Sequence, residues 1–369
     1  MLKRTLGRTG LEIVPIGFGG IPIIALSRRE AIKVVRYAFE KGINYFDTAR
    51  AYGDSEKKIG EALKKVRDEV VLATKTHQRT KEDAARAGLK HSLRNLQTDH
   101  IDLVQLHGID TEEVLKKATS PEGSLSALEE AKDQGKLDHI GISSHNPHVL
   151  VKAIKTGKFD TALVPLNVLD RRAAENLIPL ATNRNVGVVI MKAMGGCGPP
   201  LHYPQQGARF LGKPEQDWPD STEFAAHFGK EGLDRAERSL RFVLAHDIDT
   251  IVVGFRSEEQ IDHAVSIAEN FKELTTEERK AYRFSETPEH LCRQCNLCMP
   301  CPDGVEIPSI LKWDNYFTFY NIEKWTREQY PKLRTKVDSC TECGECEKKC
   351  PYNLPVIKML KEAEKRLEL

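Results

Sequence analysis

Along the first 255 or so positions, short apolar runs alternate with longer stretches whose apolar residues fall three and four apart. The short runs read as strands and the spaced stretches as amphipathic helices. Strands are expected at Val14 to Phe18, Ile43 to Phe46, Val70 to Ala73, Ile101 to Leu106, Leu137 to Ile142, Thr161 to Leu166, Val186 to Met191 and Thr250 to Val253. Between them lie helical patterns: Ala31, Val34, Val35, Ala38 and Phe39 share one face behind a Ser27/Glu30 capping box, and Gly42 ends that helix. Further helices are expected over Ser55 to Val66, Ala85 to Leu96, Leu125 to Gln134 and Leu233 to Leu244, and after Ser257 and Gln260 as caps. Residues 2 to 14 add two short strands around a Gly-Arg-Thr-Gly turn. Eight strand-helix alternations predict an α/β fold with a parallel sheet. In such a sheet, groups that follow successive strands converge at one rim.

That convergence makes four polar residues interesting together: Asp47, Tyr52, Lys75 and His107 each follow one of three successive strands. A phenol is a weak acid whose pKa an adjacent ammonium lowers, and Lys75 is the expected ammonium. Asp47 would fix Lys75, and His107 would offer a neutral ring to a carbonyl oxygen. A phenol donating to an oxygen that gains charge as hydride arrives is general acid catalysis of carbonyl reduction, or of alcohol oxidation in reverse.

LGRTGLEIVPIGFGG, NYFDTARAYGDSEKKIGEAL, LATKTH and SLRNLQTDHIDLVQLHGID, in that order, closely resemble the aldo-keto reductases over roughly residues 1 to 270. The resemblance implies a (β/α)8 TIM barrel closed below by the N-terminal hairpin. It also implies that Asp47, Tyr52, Lys75 and His107 are the catalytic tetrad, with hydride drawn from NADP(H). Candidate cofactor contacts are Ser143 and Ser144 after the fifth strand, Asn167 after the sixth, and Lys192 and Gly195 after the seventh. Arg256, Ser257 and Gln260 stand at the start of the eighth helix, where free N–H groups suit phosphate. The chain departs from the family pattern at Ser144, Leu163, Met191, His263 and Ala264, which implies a divergent dinucleotide site. Beyond Pro200, to about Lys230, the chain is polar and contains Pro and Gly, an expected lid. His77, His145 and His202 lie near the rim, but lone histidines are more often packing or surface residues.

The 55 basic and 54 acidic residues give no field suited to nucleic acid or an anionic membrane. No apolar run approaches the ~20 residues of a membrane span, and the start lacks a signal-peptide core, so a cytoplasmic protein acting on small molecules is expected. Nine cysteines in such a chain argue for metal before disulfides. Cys197 stands alone and reads as a packing residue. The other eight form two groups, Cys292, Cys295, Cys298, Cys301 and Cys340, Cys343, Cys346, Cys350, each followed by proline. The second group matches the bacterial ferredoxin run, and the first has one residue fewer before its last cysteine. Two four-thiolate zinc sites are the competing reading, but zinc does not call for a C-x2-C-x2-C core with a trailing Cys-Pro.

With the fourth cysteine serving the other cluster, as in two-cluster ferredoxins, Cys292, Cys295, Cys298 and Cys350 would hold one [4Fe-4S] cluster, and Cys340, Cys343, Cys346 and Cys301 a second. The intervening Ile307 to Leu333 reads as helical, which resembles the helical two-cluster ferredoxins. Two domains are therefore expected, a barrel over residues 1–272 and a mainly helical iron-sulfur domain over 273–369. A hydride carries two electrons and a cluster one, so coupling them needs a mediator such as flavin, or a radical-tolerant substrate. The competing functions are a ferredoxin-linked one-electron reductase and a non-catalytic iron-sulfur electron carrier; a ferredoxin-type partner belongs to the first.

Overall fold

A computed structural model describes residues 1–168, 170–194, 235–281, 292, 294–320 and 322–368. Eight strands, β1 (Ile16–Gly19), β2 (Tyr45–Asp47), β3 (Val71–Thr76), β4 (Ile101–Leu106), β5 (Leu137–Ser143), β6 (Thr161–Pro165), β7 (Gly187–Met191) and β8 (Thr250–Gly254), form a closed barrel. Each pairs in parallel with its sequence neighbour, and β8 closes on β1. Both faces of these strands are covered, which is why β3 and β4 are buried at every position. Leu72, Val104 and Val188 pack outward against the helices, whereas Tyr45, Val71, Ala73, Leu103, Leu163 and Val189 fill the interior.

The period of two along a strand then fixes the chemistry. Tyr45 and Asp47 share the inward face of β2, Ala73 and Lys75 that of β3, Leu103 and Gln105 that of β4. The register pairs Asp47 with Ala73 and Lys75 with Gln105, so all three polar residues sit in the upper interior layer. Asp47 ends its strand and Lys75 lies within its own, where the sequence placed both just beyond the strand ends. Their burial as an ion pair lets the ladder continue through them.

Below, the antiparallel pair Arg4–Thr5 and Glu12–Ile13 plugs the barrel with Leu6 and Ile13. Gly7 permits this approach: at φ +48° it lies so close to Gly187 that a Cβ would come 2.2 Å from its nitrogen. The Ser27 capping box forms as expected, with Ser27 Oγ accepting from the Glu30 N–H and Glu30 Oε2 from the Ser27 N–H. The expected helix over Ala85 to Leu96 instead combines a short Lys81–Asp83 turn, a wider π turn over Ala84–Leu89 and the helix Lys90–Leu96. The expected lid, with His202, and the preceding Gly195 and Cys197 lie outside the described residues.

The C-terminal unit has its own core, in which Val305, Ile307, Ile310 and Leu311 pack with Tyr330, Leu354, Val356 and Leu360. Helix Val356–Leu367 buries Val356, Leu360, Ala363 and Leu367 on one stripe and turns its charges outward. Arg366 nonetheless forms a bidentate pair with Asp314 at 2.6 and 2.8 Å. Helices Ile307–Tyr320 and Glu323–Gln329 reach the barrel mouth, where the Trp325 indole packs against Gly53, beside Tyr52. A cover over the mouth therefore comes from the cysteine-bearing unit. Among the described residues no helix is long and apolar enough to cross a membrane.

Candidate active site

Asp47 and Lys75, 3% and 1% exposed, form a buried ion pair. Lys75 Nζ also donates to the Thr48 carbonyl at 2.7 Å, and Gln105 Nε2 donates to the other Asp47 oxygen at 3.0 Å. Tyr52 sits above, with Lys75 Nζ 5.1 Å from its ring centroid. The His107 ring meets Tyr52 edge-on at 5.6 Å. The four residues singled out in the sequence thus share one site at the C-terminal rim. Gln105 was missed; its signal was a lone amide two residues before His107 on the same face of the strand as Leu103.

Burial raises the Asp47 carboxyl and lowers the Lys75 amine from their ordinary values, each opposed by the other's charge. Burial, helped by the Asp47 charge, also holds the Tyr52 phenol well above its usual range. This differs from the expectation that Lys75 draws Tyr52 down. Burial outweighs any help from the ammonium, and Asp47, in direct contact with Lys75, itself opposes ionisation of the phenol. Tyr52 is consequently a protonated donor at neutral pH. Burial, then Lys75, then Lys312 hold His107 well below the ordinary histidine value, so its ring is neutral. Among the described residues, the buried His107 Nδ1 has no hydrogen-bond partner.

The residues after β5 to β8 are engaged differently. Ser143 Oγ accepts from the Gly108 N–H at 3.1 Å and donates to the Leu106 carbonyl at 3.4 Å. Ser144 Oγ donates to Asp110 at 2.9 Å, and Asp110 also accepts from the His145 N–H at 2.7 Å. Asn167 donates to the Lys192 carbonyl at 2.9 Å and accepts from the Asp170 N–H at 2.8 Å. Lys192, at φ +58°, sends its ammonium 2.9 Å from Gln294 Oε1 in the C-terminal unit. Ser257 caps the eighth helix by accepting from the Gln260 N–H, while Gln260 Oε1 accepts from the Arg256 N–H at 2.7 Å. Tyr52 and His107 therefore stand on one half of the mouth, and these candidate cofactor groups line the other.

Among the described residues no disulfide joins the eight clustered cysteines, and the two groups are wound alike. Gln294 and Glu342, each two residues after the first cysteine, take positive φ of 55° and 57°. Each aims its N–H at that cysteine's Sγ, at 3.4 Å in both cases. Asn296 and Gly344 repeat the left-handed turn two residues later, at φ 61° and 76°. The groups also interlock: Asp303, after Cys301, accepts from the N–H and hydroxyl of Thr341, next to Cys340, at 3.0 and 2.7 Å. Burial pushes the Cys298 thiol up to about 12, and the neighbouring Cys295, Cys346 and Cys350 add to it. Thiolates in such a cysteine-rich unit suit iron-sulfur ligation, and iron would stabilise the thiolates that burial alone disfavours.

A model of the Aldo/keto reductase family matches residues 15–283, and a model of the 4Fe-4S dicluster domain matches residues 291–355. An uncharacterized oxidoreductase of Bacillus subtilis, YqkF, is 29% identical over 300 residues, covering 76% of this chain and 95% of its own. An L-galactose dehydrogenase of Arabidopsis thaliana is 28% identical over 296 residues, covering 73% and 89%. Among solved structures, the holo form of the aldo-keto reductase AKR11C1 from Bacillus halodurans superposes with a TM-score of 0.62 at 30% identity, covering 78% of this chain and 98% of its own. An aldo-keto reductase of Klebsiella pneumoniae in complex with NADPH shares the fold, with a TM-score of 0.60 at 21% identity, covering 79% and 99%.

Proposed function

The chain belongs to the aldo/keto reductase family and carries a 4Fe-4S dicluster domain, and from that premise we propose that it interconverts a small carbonyl compound and its alcohol with NADP(H). The observation that supports this reading best is the Asp47–Lys75 pair beneath Tyr52 and His107 at the barrel rim. When bound, NADPH supplies a hydride to the carbonyl carbon. Tyr52 gives its proton to the carbonyl oxygen, and solvent returns one after product leaves. The Lys75 ammonium, 5.1 Å from the ring, opposes the charge left on the phenol, and Asp47 and Gln105 hold that ammonium in place. The neutral His107 ring orients the carbonyl. Lys192, Gly195, Arg256, Ser257 and Gln260 are assigned to the cofactor phosphates; Ser143, Ser144 and Asn167 are assigned to its nicotinamide end.

In the same reading, the division falls near residue 272, and the protein works in the cytoplasm. Two clusters are held in the crossed arrangement, Cys292, Cys295, Cys298 with Cys350 and Cys340, Cys343, Cys346 with Cys301. The thiol neighbours of Cys298 and the Asp303–Thr341 bonds support the crossing. The clusters supply single-electron transfer when present. A second reading is a ferredoxin-linked reductase with flavin or no nicotinamide in the barrel; the Lys192–Gln294 bond favours it by tying the cysteine loop to the mouth.

Anaerobic, cluster-loaded protein titrated with NADPH and NADH separates the two. Carbonyl turnover with NADPH supports the hydride reading, whereas turnover only from reduced ferredoxin, without nucleotide binding, replaces it. About eight iron and eight acid-labile sulfide per chain are expected for two cubanes; two zinc and no sulfide would remove the clusters from the account.

A further inference from the structure

Three basic side chains surround the outer edge of the Tyr52–His107 site without an acid to balance them. Arg50, two residues before Tyr52, has no ion pair or side-chain hydrogen bond among the described residues. Arg79 is pinned to the rim by the carbonyls of His107 and Gly108, neutral acceptors that leave its charge uncancelled. Lys312 comes from the cluster domain, on helix Ile307–Tyr320, and its ammonium rests 4.3 Å from the Trp313 ring. It too has neither ion pair nor hydrogen bond among the described residues. The charges of Arg79, Arg50 and Lys312 all bear on His77, and that of Lys312 reaches His107 as well.

Of the nearby carboxylates, Glu306 bears on Lys312 and accepts from the Arg334 N–H at 2.7 Å, and Asp47 and Asp110 are already committed. Asp47 is held by Lys75 and Gln105. Asp110 accepts from Ser144, from the His145 N–H and from the His145 ring. Burial, with the Lys192 charge, has drawn the Lys312 amine below its ordinary value, and Asp110 and Glu306 only partly oppose that. Partly buried ammonium and guanidinium groups without counter-charge are costly unless an anion arrives with the ligand. Arg50 and Arg79 lie after β2 and β3, on the tetrad side of the mouth, whereas Arg256 stands before the eighth helix.

The geometry points to a substrate class: the protein acts on carbonyl compounds that carry an anionic group, a carboxylate or phosphate, seated between Lys312 of the cluster domain and Arg50, His77 and Arg79 of the barrel. This rests on the carbonyl-reductase reading and adds to it a role for the appended domain, which completes the substrate pocket. Lys312 is then a specificity residue some 200 positions downstream of the tetrad.

The test compares kcat/KM of cluster-loaded, full-length protein for succinic semialdehyde against butanal, and for glyceraldehyde 3-phosphate against glyceraldehyde. Wild type is expected to favour at least one anionic member by about tenfold or more, as a desolvated charge pair allows; the pair that shows the preference identifies carboxylate or phosphate. In Lys312→Met the ratio should fall to within about threefold, chiefly through KM, and Lys312→Arg should restore it. A ratio near one in wild type, or one unchanged in Lys312→Met, overturns the proposal. If wild type turns over no carbonyl at all, the reductase reading fails separately, and succinate binding, followed by fluorescence of the adjacent Trp313, decides this one. Saturable quenching that weakens about tenfold in Lys312→Met supports the anion site, and equal quenching in both proteins refutes it.

Discussion

On the β2 to β4 side of the barrel mouth, Asp47, Lys75 and Gln105 satisfy one another, and the Tyr52 hydroxyl and the His107 ring are left over for a ligand. On the β5 to β8 side, Ser143, Ser144 and Asn167 spend their polar atoms on neighbouring loops, and Lys192 spends its ammonium on the cluster domain. The same rim thus carries one half built for proton transfer and one half built for holding shape. Reacting groups must be unengaged before substrate arrives, whereas a cofactor bed can be made of backbone that side chains brace from behind.

The largest expected effect comes from breaking the first half at its base. Lys75→Met strands a buried Asp47 carboxylate and should lower unfolding stability by about 3–5 kcal/mol in denaturant titration, while Lys75→Met with Asp47→Leu should recover much of it. An undiminished single variant would mean the pair carries no buried charge. Next is Tyr52→Phe, for which kcat should drop about 10²-fold or more, roughly 2.7 kcal/mol, with far-ultraviolet circular dichroism unchanged. Wild-type turnover would take the phenol out of the chemistry.

The pH dependence of stability sharpens the contrast further. Burial holds His77, His107 and His145 below the ordinary histidine value, so the unfolded chain takes up protons there before the folded one does. Stability contributed by their neutral forms is complete above about pH 6.5 and declines below it, by at most about 1.4 kcal/mol per pH unit for each ring. Asp249, pushed up to about 6 by burial, works oppositely: its penalty is relieved as pH falls toward 6 and below. With His246, which burial also holds low, four rings against one carboxyl predict a lower Tm at about pH 5.5 than at about pH 7.5, a trend His107→Gln should flatten. The smallest effect belongs to the bracing half. Ser144→Ala removes a donor from Asp110 and should cost about 1 kcal/mol of stability. A nucleotide Kd that rises more than about tenfold would instead make that hydroxyl a direct cofactor contact.

The barrel was legible because strand periodicity is local, and the tetrad because its members stand at, near or beyond the ends of three successive strands. Legibility failed where a residue's meaning depends on distant partners. Asp47 and Lys75 were placed beyond their strands, since charged residues ordinarily end buried runs and only pairing with each other lets them stay inside. The shift of Tyr52 had the opposite sign to that expected, because sequence names the neighbouring charges but not the burial that outweighs them. Lys312 gave no signal: a lysine on an exposed-looking helix turn is ordinary until the helix is seen lying over a barrel.

The hydrogen bond from Lys192 to Gln294 ties two timetables together. Gln294 lies between Cys292 and Cys295, so the path of that loop, and therefore the reach of a side chain on the barrel, is set by whatever the cysteines grip. A catalyst arranged this way finishes assembling its entrance only after its inorganic cargo has been installed, and oxidative damage to that cargo is felt first at the door.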